Sequence, residues 1–122
     1  MKSIVFVALT AFSSLALADN CDKARDDFDN LYCLNKVYQE ADKELNSAYG
    51  KLRAQLNDEQ KNTLKRTQIA WINQRNDACS RREGSSFYVN IRCANDRTVA
   101  RTNEINDRIR ECKSTGCQAS KL

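Results

Sequence analysis

Residues 31–60 read LYCLNKVYQEADKELNSAYGKLRAQLNDEQ. Leu31, Leu34, Tyr38, Ala41, Leu45, Ala48, Leu52 and Leu56 recur there in steps of three and four, which marks one apolar stripe on a helix. Such a helix is about 25 residues and roughly 40 Å long. Gly50 falls on the opposite, polar face, where it costs about 1 kcal/mol against alanine without ending the helix. The stretch closes on Asn57-Asp58-Glu59-Gln60. Asn57 is a good N-cap, Gln60 lies in capping-box register, and the two acids suit a helix N-terminus. A second helix is therefore predicted from Asp58 to about Arg82, with Leu64, Gln68, Trp71, Arg75, Ala78 and Cys79 along one side. The link between the two is so short that the chain must turn back on itself.

Beyond the second helix, Gly84-Ser85-Ser86 breaks the pattern, and Phe87-Tyr88-Val89-Asn90-Ile91 reads as extended or irregular. A third helix is expected from about Ala94 to Arg110, with Thr98, Arg101, Ile105 and Ile109 facing inward. Lys113 to Leu122 is a polar tail, pinned at its start by Cys112 and Cys117. The chain has no proline and 3 glycines, and this lack of breakers favours helix over a many-turned β fold. The expected class is all-α: a long antiparallel helical hairpin over residues 31–56 and 58–82, crossed by a shorter third helix and braced by disulfides.

The opening of the chain reads as a cleavable export signal over residues 1–18. Lys2 is the positive start, Ile4 to Leu17 the apolar run, and Ala16-Leu17-Ala18 the cleavage site. The run is too short, and too interrupted by Ser and Thr, to span a bilayer comfortably. Asp19 and Asn20 lack the small or apolar character of a lipid-attachment signal at Cys21. The expectation is one domain over residues 19–122, periplasmic or secreted, with no integral membrane insertion after signal cleavage. In that oxidising setting the even set Cys21, Cys33, Cys79, Cys93, Cys112 and Cys117 reads as a disulfide framework.

Composition removes several chemistries. The chain has 0 histidines, so no Ser-His-Asp triad, Cys-His pair or His zinc ligand exists. Bridged cysteines leave no thiolate as nucleophile or metal ligand. Carboxylate pairs for glycosidase-type work remain conceivable, but the acidic residues fall on polar helical faces where solvation explains them. No catalytic residue, metal or cofactor is expected. Loss of Lys2 with the signal takes the 20 basic residues to 19 against 16 acidic ones, a net +3. Mild, interspersed charge of this kind reads as a solvated surface, not a nucleic-acid footprint.

Two blocks are more specific. The first is Ala41-Asp42-x-x-Leu45-Asn46-x-x-Tyr49-x-x-Leu52. The second is Gln68-x-Ala70-Trp71-x-x-x-Arg75-x-Asp77-x-Cys79, followed by Cys93 and by Thr98-x-x-Arg101. With the Cys21…Cys33 opening, they closely resemble the LprI-like family of exported bacterial proteins, over Cys21 to about Ile109. Asn76 stands between Arg75 and Asp77, where many relatives place Asp directly after the arginine. The Cys112/Cys117 pair looks like an addition to a common four-cysteine pattern. The resemblance implies an inhibitor of lysozyme, with a lysozyme as its protein partner.

Read from the residues, Gln68, Trp71, Arg75 and Cys79 share a helical face. Trp71 can fill the core with its N–H on a partner such as Asn46, and Arg75 can stack or pair with a carboxylate of the first helix. Holding three helices together is the leading role for Leu45, Asn46, Tyr49, Gln68, Trp71, Arg75, Thr98 and Arg101. The stretch between Cys79 and Cys93 is the candidate partner-binding segment, with Arg81, Arg82, Ser85, Ser86, Phe87 and Tyr88 as its contact residues. The bland alternative makes it a connection whose Phe87 and Ile91 cap the core.

Six cysteines allow many connectivities. Sequential pairing, Cys21–Cys33, Cys79–Cys93 and Cys112–Cys117, brackets stretches able to fold back, and the family pattern keeps partners close in sequence. The rival is nested: an antiparallel turn near Asn57 brings Cys33 level with Cys79, and Cys21 with Cys93.

Two functions from different classes follow. One is an inhibitor presenting Arg81 or Arg82 to the catalytic carboxylates of a lysozyme cleft. Strongly basic animal lysozymes would repel a +3 chain at long range, so local complementarity must prevail. The other is an envelope interaction or stress protein that binds another exported protein. A small hydrolase survives only if a carboxylate pair shares a cleft.

Overall fold

The computed structural model describes residues 21–122; the expected export signal lies outside them. Three helices, α1 (Asp27–Arg53), α2 (Asp58–Ala78) and α3 (Ile91–Ser114), carry the fold, and a two-stranded hairpin, β1 (Ser80–Glu83) and β2 (Ser86–Val89), joins α2 to α3. The all-α class holds, with the small sheet a minor element.

Each helix begins where a side chain caps it. Asp26 Oδ1 accepts from the Asp29 N–H at 2.8 Å, and Asp27 and Asp29 lie favourably in the first turn. This cap starts α1 at Asp27, ahead of the apolar stripe, and places Cys33 inside the helix. At α2 the capping box forms: Asn57 Oδ1 accepts from Gln60 N at 2.9 Å, and Gln60 Oε1 accepts from Asn57 N at 3.0 Å. Asn90 caps α3 by accepting from Cys93 N at 3.0 Å, so α3 opens at Ile91 and spans 24 residues, longer than the 21 of α2. Ala78 is exposed where α2 ends, and the predicted helix through Arg82 gives way to β1.

Short connections make α2 antiparallel to both neighbours, so α1 and α3 run parallel. These two lie closest because the residues between them are small: Ala41, Ala48, Ala94, Thr98 and Thr102 are all buried. The two hydroxyls are satisfied inside α3, Thr98 Oγ1 donating to Ala94 O at 2.7 Å and Thr102 Oγ1 to Thr98 O at 3.0 Å. Larger side chains hold α2 further out. The core is Leu45, Ala48, Leu52, Leu56, Leu64 and Ile105, with Tyr49, Trp71 and Ile109 packed against it. Each fully buried Leu or Ile there contributes about 1.5–3 kcal/mol of transfer free energy. Leu31 is 55% exposed, outside this core, because α1 outruns its neighbours at that end.

The disulfides join Cys21 to Cys33, Cys79 to Cys93, and Cys112 to Cys117, and no cysteine is free. The nested arrangement is not the one the chain adopts. At the far end, Cys117 and Leu122 pack on the core, so the tail is folded back over it. Among the described residues no helix is long and apolar enough to cross a membrane.

Candidate functional site

The stretch between Cys79 and Cys93 is a β-hairpin. Gly84 has φ +60°, no other residue near the turn is positive, and Glu83 pairs with Ser86. A two-residue loop with positive φ only at its first position is a type II′ turn, which wants glycine there. The hairpin is closed at its base twice, by the Cys79–Cys93 bridge and by Asn90 N–H donating to Cys79 O at 2.7 Å. Its strands have solvent on most sides, and Phe87, Tyr88 and Val89 are 58%, 45% and 56% exposed. Phe87 therefore lines a surface and does not cap the core.

Strand alternation splits the predicted contact residues between two faces. Arg81 lies opposite Tyr88, its guanidinium carbon 4.8 Å from the ring centroid, and its Nε donates to Glu83 Oε1 at 2.8 Å. Arg82 lies opposite Phe87, 5.4 Å from that ring. Among the described residues Arg82 has no carboxylate within ion-pair distance. Ser85 and Ser86 are exposed at the tip. Ser80, Phe87 and Val89 line a cleft, which puts the Arg82–Phe87 face on the cleft side and the Arg81–Tyr88 face away from it.

The cleft has a volume of about 260 Å³ and lies between the hairpin, Tyr38 of α1, Arg75, Asn76 and Cys79 at the end of α2, and Ile91 and Ala94 of α3. Arg75 joins three helices there. Its guanidinium carbon is 5.1 Å from the Trp71 ring and 5.7 Å from Tyr38, a cation held against two π faces. Nε and Nη2 donate to Asn76 Oδ1 at 3.2 and 3.1 Å, Nη1 donates to Thr98 Oγ1 at 3.4 Å, and Asp42 Oδ1 is 4.0 Å away. Asn76, an interruption in the sequence pattern, is thus the residue that fixes the guanidinium plane. One helical turn below, Arg101 Nε donates to Gln68 Oε1 at 2.9 Å and its Nη1 pairs with Glu104 Oε2 at 3.0 Å.

Trp71 is half-buried on the core beside Tyr49, and Leu45 is buried within it. Asn46 is exposed, and its amide reaches Asp42 Oδ2 at 3.5 Å. Among the described residues no hydrogen bond joins it to the Trp71 indole. Tyr38 and Val89 were not singled out as site residues in the sequence. Spacing places them on their own elements but does not tell that Arg75 and Phe87 meet them. Among the described residues no group of His, Cys, Asp or Glu could hold a metal ion.

The chain matches a family model described as lysozyme inhibitor LprI over residues 19–105. A search of curated proteins and one of solved structures return no match. The matched span takes in the Arg75 cluster, the braced hairpin and most of α3, and the chain belongs to the lysozyme inhibitor LprI family.

Proposed function

We propose that this is an exported, non-enzymatic binding protein that inhibits a lysozyme by placing its hairpin in the enzyme's cleft. The carrying observation is the hairpin itself: closed at its base by a disulfide, it presents Arg82, with no carboxylate partner among the described residues, beside exposed Phe87 and Val89, and exposed Tyr88 on its other face. A braced loop loses little entropy on docking. Arginine and aromatic side chains are the usual interface anchors, and the catalytic carboxylates of a lysozyme cleft are the natural counterpart of a guanidinium. The family's description supports an inhibitor in place of a catalyst.

A lysis assay with purified protein, against several lysozyme classes and over a range of salt, tests this reading. Inhibition of at least one class, lost in Arg82→Ala, is the expected result. Against basic enzymes it should weaken at low salt, where long-range repulsion is least screened. Full lysis by every class would reject the reading.

A second reading, binding to another exported protein, is favoured by one feature outside the hairpin. Phe28, Leu31 and Tyr32 are 86%, 55% and 73% exposed on the first turns of α1, an apolar group of the kind that marks protein contacts. Loss of partner capture in Phe28→Ser with Tyr32→Ser, with lysozyme inhibition intact or absent from the start, is the result that selects it.

A further inference from the structure

Arg75 is a nearly buried cation whose charge is not met at hydrogen-bond distance. Its side chain is 11% exposed, and the carboxylate beside it, Asp42, is 4.0 Å away and 46% exposed. A guanidinium has five N–H donors. Here Nε and Nη2 each give one to Asn76 Oδ1, and Nη1 gives one to Thr98 Oγ1. Both acceptors are neutral. Among the described residues this leaves one N–H on each terminal nitrogen without a hydrogen-bond acceptor, free to donate to a carboxylate.

The same arginine lines the cleft of about 260 Å³, whose other walls include Tyr38, Phe87, Val89, Ile91 and Ala94. That volume lies below the range of about 300–1,000 Å³ that holds drug-sized molecules. It suits one ring or one branched chain. An anion without hydrocarbon, such as phosphate, would leave those walls facing water. We infer that the cleft binds a small apolar carboxylic acid in its anionic form, with the carboxylate on Nη1 and Nη2 of Arg75 and the hydrocarbon between Phe87 and Val89. The site shares Phe87 and Val89 with the surface proposed to meet a lysozyme, but its anion contact is Arg75 beneath the hairpin, so a titration without lysozyme tests it separately.

The chain carries its own reporter. Trp71 is the single tryptophan, 5.1 Å from the Arg75 guanidinium, so its fluorescence responds to an anion arriving there. The experiment titrates the intact, disulfide-bonded protein with hydrocinnamate and, separately, with hydrocinnamide, its neutral isostere. Hydrocinnamate is expected to give a saturable change with a dissociation constant on the order of millimolar for so small a ligand. The amide should bind at least about tenfold more weakly. Asp42→Asn removes the carboxylate that competes for the guanidinium from an exposed position, and should tighten hydrocinnamate several-fold. Phe87→Ala, also exposed, should weaken it several-fold by removing a wall. An amide that binds as well as the acid, or an acid affinity that Asp42→Asn leaves unchanged or lowers, overturns the inference.

Discussion

Arg82 and Phe87 stand directly across from one another on the hairpin, with the guanidinium carbon 5.4 Å from the ring centroid. Arg81 occupies the other face, where Glu83 already answers its charge at 2.8 Å. Two adjacent arginines thus offer unequal charge to any proposed partner. Arg82→Ala is expected to weaken lysozyme binding by about 2–4 kcal/mol, and Arg81→Ala by less than about 1 kcal/mol. Calorimetric titration of both variants checks this. Equal losses would mean that the faces are not distinguished on docking.

The disulfides should rank by the loop each closes. In the chain-entropy model, removing the Cys79–Cys93 bridge, with 14 residues of separation, costs about 3 kcal/mol, and removing Cys112–Cys117, with 5, about 2 kcal/mol. The double serine variants, melted side by side, give the order. Only the Cys79→Ser, Cys93→Ser pair should also lower affinity, because it alone frees the base of the hairpin. A binding loss in the Cys112 and Cys117 pair at a temperature where it stays folded contradicts that.

Gln68→Leu is expected to cost about 1–3 kcal/mol although it adds apolar volume. The carboxamide is buried and accepts from Arg101 Nε at 2.9 Å. Its loss leaves a nearly buried guanidinium N–H unpaired. Urea denaturation should register the change in midpoint with an unaltered slope. A neutral result would show that water replaces the lost acceptor.

Trp71→Ala is a packing lesion and not an interface lesion. The ring rests against the leucine core and under the Arg75 guanidinium, and its truncation should remove about 3 kcal/mol of stability. Below the melting temperature of the variant, lysozyme binding should stay within about threefold of the parent, a shift of under 1 kcal/mol. A folded Trp71→Ala protein that fails to bind would move the docking surface from the hairpin to the helices.

Much of this was legible in the chain, and the boundary is instructive. The Asn57–Gln60 capping box is a contiguous signal and forms as written. The end of α2 is not contiguous in this sense. Ser80-Arg81-Arg82-Glu83 carries charges that a helix tolerates, and what makes it a strand is Gly84-Ser85 turning the chain so that Phe87-Tyr88-Val89 can pair with it. A Gly-Ser pair between such runs is a recognised hairpin signal, but the helical period runs on to Cys79 and does not show where the helix stops. The start of α1 was set by Asp26, a cap lying ahead of the apolar stripe. At the site, spacing put Trp71 and Arg75 on one face. It held no information about Tyr38 or Thr98, which reach Arg75 from other helices.

The parallel seam between α1 and α3 has a consequence for how the molecule is made. Leu45, Leu52 and Leu64 are sealed by Ile105, a residue of the last helix. The first two helices can form locally as they emerge, but their apolar faces stay open until α3 follows, since nothing earlier in the chain can cover them. A chain threaded through a membrane pore with its leading end first therefore stays loose enough to be pulled for most of its passage. On the proposed export route it would close only on arrival, in the compartment where its three bridges can be oxidised. On that route late closure suits transport, and the same arrangement leaves a chain that stops before α3 with its apolar faces uncovered.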